Sequence, residues 1–415
     1  MTPQHIPADD LDLRAYLRTG ETVVWGQASA EPVTLVRAVV AQRADLGPLH
    51  CFLGIQFAGT VGPEHADHLR LTSYCGTGAN RALAKAGVLE IYPGHYSTLP
   101  WLLSRGPMRA DAVLVQCAPL GDGRYSLGLA DDYLSAAIDS ARVVIAEVND
   151  QVPATPGSRY LTGADIDVIV ETSLPPVQAP AQAEDEVTAR IAARVAGLIE
   201  DGATLQFGIG ALPELVLRQL KDRRRLGIHS GLVSDAAADL IVCGAVTGTD
   251  KHTDRGIAVG AMLIGTERLF RIARDSRAIE LRPASYTHDS EVLAVQNRFT
   301  AINSAIEVDL TGQVNAEIAS GIYVGAVGGA AEFLRAAAHS TGGLPIVALP
   351  ATAGIRSRIV TELSGPVSTA RADAGIFVTE YGIADLRGLP LSQRRRRMIE
   401  LAHPDHRAHL AEGVL

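Results

Sequence analysis

Short β-branched apolar runs followed by amphipathic stretches recur along the 415-residue chain. The clearest runs of the first half are "ADAVLVQCAPL" (110–120) and "ARVVIAEVNDQVP" (141–153). Between them, "LADDYLSAAIDSA" (129–141) puts Leu134, Ala137 and Ala141 on one helical stripe, with Asp131 or Asp132 near its start. Strand, helix and strand in that order predict an α/β fold with largely parallel sheets. Prolines at 175, 176 and 180 then cluster in an Ala/Gln-rich segment that is neither a central strand nor a helix interior. A domain boundary is expected there, dividing the chain into 1–183 and 184–415.

The second half opens on a predicted helix, "EDEVTARIAARVAGLIEDG", whose stripe is Ile191, Val195, Leu198 and Ile199 and whose stop is Gly202. "ATLQFGIGALPELVLRQL" continues as strand, tight glycine turn and helix, and further strand-like runs stand at 300–310, 344–350 and 374–384. The length and a hydrophobic content of 47% suit two sizeable α/β domains.

Composition narrows the chemistry. A net charge of −9 and a pI near 5.7 supply no basic face for nucleic acid. "MTPQHIPADDLDLRAYLRTG" has neither a basic leader region nor an apolar one, and no apolar run approaches the ~20 residues of a membrane helix. The expectation is a cytoplasmic protein without membrane partners, acting on small molecules. Cys51, Cys75, Cys117 and Cys243 form no CxxC pair, so each is expected to be a buried small hydrophobe in a reducing compartment. His403, His406 and His409 in "HPDHRAH" suit a solvated helix face better than a metal site, and no metal is expected. "RRRR" (394–397) reads as a surface or ribose-phosphate-facing cluster, and no G-x-S-x-G elbow is present.

Two glycine passages carry candidate chemistry. In "LQFGIGALP", Gly208 and Gly210 lie where a strand hands over to a helix, with Pro213 suited to its first turn, so that backbone amides can approach an anionic or carbonyl oxygen. The third glycine of a dinucleotide fingerprint and the lysine of a P-loop are both missing, and a plain structural turn explains the spacing as well. In "SGIYVGAVGGAAEFLRAAA" (320–338), Gly321, Gly325, Gly328 and Gly329 precede a helix. Ligand approach or close helix–sheet packing would each use such small residues.

Taken together, the chain resembles the acetyl-CoA hydrolase/transferase family, which includes 4-hydroxybutyrate, butyrate and acetate CoA-transferases. The resemblance rests on "AEPVTLV" (30–36), "YSTLP" (96–100), "AEVNDQVP" (146–153), "LIEDGATLQFGIGALPELVLRQLKD" (198–222), "LGIHSGLVSD" (226–235), "INSAIEVDLTGQVNAE" (302–317), "VTEYGIADLRG" (378–388) and "IELAHPDHR", in the family's order over nearly the whole chain. It implies two similar CoA-transferase-type (NagB/RpiA-like) α/β domains with the active site in the cleft between them, commonly as a homodimer, acting on coenzyme A as an acyl-CoA thioester. In the family a glutamate attacks the thioester, and a glutamyl-CoA intermediate passes CoA to a second carboxylate. By the same resemblance, Gly208, Ile209, Gly210 and Ala211, with Gly328, Gly329 and Ala330, would hold the thioester and supply oxyanion donors.

The departure is central. Where members read H-[ST]-E-[ML], this chain reads His229, Ser230, Gly231, Leu232, and no glutamate occurs between Glu214 and Glu267. The second passage departs as well, with Ala330 for a family glutamine and Ala336 for a glycine. Three readings follow. In the first, an external amine, hydroxyl or water attacks the bound thioester directly, with His229, Ser230 or Asp235 near enough in sequence to serve as base or positioning group. In the second, another carboxylate such as Glu307, Glu332 or Glu380 keeps CoA-transferase chemistry running. In the third, the protein binds acyl-CoA without catalysis.

Overall fold

A computed structural model describes residues 2–181 and 183–412. The chain forms two compact units, one of residues up to Pro180 with Leu232–Asp235 and Val259–Thr287, the other of Ala181–Gly231, Ala236–Ala258 and the residues from His288 on. The first crossing thus falls at Pro180, in the proline-rich segment. Two later returns to the first unit have no counterpart in a single boundary, because they are tied by pairing distant in sequence: Leu232–Val233 runs parallel to Met262–Leu263.

In the first unit, a parallel sheet runs in the order Gln4–His5, Val168–Thr172, Val143–Asn149, Ala112–Pro119, Thr22–Trp25, Leu49–Leu53, Leu69–Ser73, Leu89–Ile91. Arg124–Ser126 and Tyr160–Thr162 extend it antiparallel. Val143–Asn149 is buried along its whole length, which is why it reads as a continuous apolar run; strands of parallel sheets are covered on both faces. Val23, Trp25, Leu35, Leu114 and Ile145 belong to the core on which the sheet closes. The strand order reverses between Thr22–Trp25 and Ala112–Pro119, a topological switch point of the kind at which α/β sheets bind ligands. The expected helix of 129–141 is Leu134–Ser140, and Asp132 accepts from the amides of Tyr133 and Leu134 at its start.

The second unit is built on a six-stranded sheet in the order Gly227–Ile228, Thr204–Phe207, Phe299–Ser304, Leu344–Ala348, Ile376–Thr379, Gly382–Asp385. All pairs are parallel except the last, so the run at 374–384 is a hairpin about Glu380 and Tyr381. The run at 300–310 divides as well, since Glu307–Asp309 leaves the main sheet to pair with Val314–Asn315 and Ile359–Val360. The predicted helix of this half is Glu186–Leu198, capped by Asp185, whose carboxylate accepts from Thr188 N at 2.7 Å. It stops short of Gly202, because Ile199 turns extended with its side chain in the core. Phe299, Phe333, Val347, Phe377 and Met398 pack in this unit's interior.

One expectation about cysteine is corrected. Cys51, Cys75 and Cys117 are buried, but Cys243 is exposed, having fallen just beyond the end of the helix Asp235–Val242. Among the described residues, no three His, Cys, Asp or Glu side chains converge as a metal site, and no helix is long and apolar enough to cross a membrane.

Candidate active site

The first glycine passage leaves the carboxyl end of Thr204–Phe207 and enters the helix Ala211–Arg218. Gly210 has φ 132° and ψ 172°, a conformation open essentially to glycine alone. The Gly208 amide donates to Ile302 O at 3.0 Å, so it is spent on the sheet. The oxyanion expectation therefore moves to the amides from Ile209 to Ala211, at the positive end of a helix. Ile209 is exposed, while Gly208, Gly210 and Ala211 are half-buried.

The next strand ends beside it. His229 N donates to Leu205 O at 3.0 Å, and Ser230 Oγ accepts from Phe207 N at 3.4 Å and donates to Phe207 O at 3.3 Å. Both side chains are fully buried, and Ser230 ties its loop to the strand that launches Gly208. Asp235 lies in the first unit at the start of Asp235–Val242. Its carboxylate accepts from Thr266 N and Thr266 Oγ1, each at 2.9 Å, and from Leu269 N at 3.1 Å, anchoring the start of the helix Glu267–Asp275.

Gly231 is half-buried and its backbone is not left-handed. A Cβ there would meet His288 Cε1 at 3.4 Å, His288 Nε2 at 3.5 Å and Phe333 Cε2 at 3.9 Å, which is ordinary contact. Neither turn geometry nor crowding at Cβ demands glycine at this position. Gly329 differs: a Cβ there would lie 2.5 Å from His288 Nε2 and 2.6 Å from Cδ2, which forbids it without displacing the ring. Gly328, at φ 56°, turns the chain into the helix Ala330–His339, with Ala330 as its first residue.

The imidazole of His288 thus joins the two motifs, and it was not legible in the sequence. It is a lone histidine in "YTHDS", with no partner at a telling spacing. Only 5% exposed, it packs on Phe333 with ring centroids 4.6 Å apart. Burial, and after it the neighbouring His229, pushes its pKa down to about 3, so the ring is neutral at working pH.

The carboxylates of the second reading are engaged. Glu307 Oε1 accepts from Asn315 Nδ2 at 3.0 Å and Ser364 Oγ at 2.8 Å. Glu380 Oε2 accepts from Ala351 N at 2.9 Å, and Glu332 stands in the first turn of Ala330–His339.

A second cluster sits at the switch point of the first unit. Gln116 Nε2 donates to Glu31 O at 3.1 Å, between the two reversing strands. Glu31 is 1% exposed, its Oε1 has no hydrogen-bond partner, and burial pushes its carboxyl up to about 7 against the bonds from Thr60, Ala58 and Phe57. Gln27 donates to Asp132 Oδ2 and Tyr96 Oη, each at 2.7 Å, and burial pushes Asp132 to about 7 as well. Ala28 (φ 53°) and Asp132 (φ 33°) hold strained backbone here. Carboxyls poised near neutrality can exchange protons, a property concentrated at functional sites. In the sequence its members stood out separately, Glu31 within "AEPVTLV", Tyr96 within "YSTLP" and Asp132 at the start of the helix of 129–141, with nothing to join them.

Comparison with known proteins covers most of the chain. The profile of the acetyl-CoA hydrolase/transferase N-terminal domain matches residues 11–178, and that of the acetyl-CoA hydrolase/transferase C-terminal domain matches 265–414. A 4-hydroxybutyrate coenzyme A transferase of Clostridium kluyveri is 34% identical over 94% of this chain and 92% of its own. A succinyl-CoA:acetate/propanoyl-CoA:succinate CoA transferase of Fasciola hepatica is 37% identical over 86% of this chain and 77% of its own. The crystal structure of RipA from Yersinia pestis superposes with a TM-score of 0.92 at 33% identity, covering 99% of this chain and 96% of RipA.

Proposed function

Because the chain belongs to the acetyl-CoA hydrolase/transferase family, we propose that it is an acyl-CoA-dependent enzyme that passes the acyl group directly to an external amine, hydroxyl or water. The observation that carries this reading is Gly231, a residue without a side chain where the resemblance expects the nucleophile and where neither backbone nor packing at Cβ calls for glycine. In the proposed step the acceptor attacks the thioester carbonyl, amides between Ile209 and Ala211 and at Gly329 stabilise the oxyanion, and CoA leaves. Each such donor is worth roughly 3 kcal/mol in well-studied hydrolases. The engaged positions of Glu307 and Glu380 support direct attack over a displaced carboxylate, since a nucleophile must reach the carbonyl carbon at about 3 Å.

The test mixes the purified protein with short acyl-CoAs, with and without acetate, amines and alcohols, and follows every CoA species by mass spectrometry. Free CoA with an amide, ester or acid is the expected outcome; CoA transferred to acetate would refute the reading. The resemblance also carries the expectation of a cytoplasmic homodimer, which fractionation and sedimentation check directly.

A further inference from the structure

We infer that the second unit carries a binding site for a small polyanion with two or more linked phosphate groups, formed by Arg225, Arg255 and Arg298 and separate from the candidate active site. It does not depend on how the acyl group is passed on.

A cavity of about 640 Å³ opens beside these three arginines, lined also by Gly202, Asp250 and Thr341. Its place follows from the sheet. Gly202, Arg225 and Arg298 stand one or two residues before the parallel strands Thr204–Phe207, Gly227–Ile228 and Phe299–Ser304, whereas Gly208 follows the first of them. The arginines therefore lie at the amino ends of the strands and the glycine turn at the carboxyl ends, with the four residues of Thr204–Phe207 between them, about 13 Å at ~3.3 Å per residue.

Each guanidinium is fixed at one point and open at the others. Arg225 Nε donates to Asp250 Oδ2 at 3.1 Å, Arg255 Nε to Lys251 O at 3.0 Å and Arg298 Nη1 to Asp201 O at 2.8 Å. Their remaining guanidinium nitrogens make no hydrogen bond among the described residues. Gly202 sits where they meet: a Cβ there would stand 2.7 Å from Asp250 Oδ2 and 3.5 Å from Arg298 Nη1. The backbone is a second, independent observation. Arg225 (φ 54°) and Arg298 (φ 48°) are left-handed, as is Asp254 (φ 48°), the residue before Arg255. Glycine or asparagine suits such positions, a long side chain there costs stability, and strain of this kind collects at ligand clamps.

The charge balance names the ligand class. Three guanidiniums face one lining carboxylate, an excess of positive charge in a chain whose net charge is −9. Asp250 is already engaged by Arg225, and Thr249 Oγ1 donates to its other oxygen at 3.3 Å; the neighbouring Asp201 carboxylate accepts from Arg224 N at 2.9 Å. A guanidinium pairs two phosphate oxygens at once and gives up its hydration more readily than an ammonium does. Successive phosphates of one molecule can each meet a different arginine, where a lone carboxylate would meet one.

The probe is inorganic tripolyphosphate, with orthophosphate as control, titrated calorimetrically into the whole protein at about 0.15 M salt, where exposed charges are screened beyond ~8 Å. Tripolyphosphate is expected to bind the wild type at least tenfold more tightly than orthophosphate, and to do so equally with CoA present at saturation. Arg225→Asn and Arg298→Asn keep a residue that tolerates left-handed backbone, and each should weaken tripolyphosphate tenfold or more in a folded protein. Arg255→Gln, at a residue without that backbone, should do the same and decides the matter if the asparagine variants fail to fold. Arg14→Gln, an equal loss of charge on the exposed surface of the first unit, should change the affinity less than twofold. A structural role for the arginines would instead lower the melting temperature and leave phosphate binding untouched. Tripolyphosphate binding that stays within twofold in the folded arginine variants overturns the inference, as does binding that CoA abolishes, which would put the anion in the CoA site. Equal affinity for orthophosphate and tripolyphosphate would mark an adventitious ion only and overturn it too.

Discussion

Gly231 is informative because the usual reasons for a glycine do not apply to it. Its φ is not left-handed and its Cβ position is open to ordinary contact, unlike Gly210, which only glycine can occupy. Gly231→Ala and Gly231→Glu should therefore fold, with melting temperatures close to wild type for alanine. If the rest of the transferase machinery persists, Gly231→Glu brings CoA transfer between carboxylates into view. A folded Gly231→Glu protein without that activity would show that this one position does not by itself separate the chain from CoA-transferase chemistry. The assay is exchange of CoA from acetyl-CoA onto succinate or butyrate.

At the scale of elements, the helix Ala330–His339 and its leading turn form one device with His288. Gly329 lets the turn lie against the imidazole, and Phe333, one turn along, holds the ring. Gly329→Ala puts a methyl 2.5 Å from Nε2, and the ring cannot yield without disturbing Phe333, which is 2% exposed. Overpacking of this kind costs about 1–3 kcal/mol, measurable as a lower denaturation midpoint. The companion Ala330→Gln, at a half-buried position on the same turn, should leave stability nearly unchanged. Equal losses in the two variants would show that the turn, and not the ring, is the constraint.

For the whole molecule, the buried carboxyls of the first unit set a pH dependence. The Glu31 carboxyl stands at about 7 in the folded chain against an ordinary 4.5, so between those values the native state holds a proton that the unfolded state has lost. Stability therefore falls as pH rises from about 4.5 to 7, the contribution being fully present below the unfolded value. Asp132, also near 7, acts in the same direction. His288, pushed down to about 3, acts oppositely, removing stability as pH falls from 6.5 toward 3. Glu31→Gln should thus raise the melting temperature relative to wild type at pH 8 and lose that advantage by pH 5. Parallel melting curves across that range would show that Glu31 ionises without penalty.

What the sequence determined by itself was local or compositional. Burial on both faces of a parallel sheet leaves continuous apolar runs, so 110–120 and 141–153 announced their strands. The family was legible because its motifs are short, contiguous and ordered, and it is one of those motifs that raises the question of Gly231. Tertiary structure decided everything that joins distant positions. It returned Leu232–Asp235 and Val259–Thr287 to the first unit, turned 374–384 into a hairpin and left Cys243 exposed. It set Asp235 to anchoring a helix start and spent the Gly208 amide on the sheet. Above all it brought His288 against Gly231 and Gly329, since no spacing along a chain encodes which side chain will fill the space that two glycines leave open.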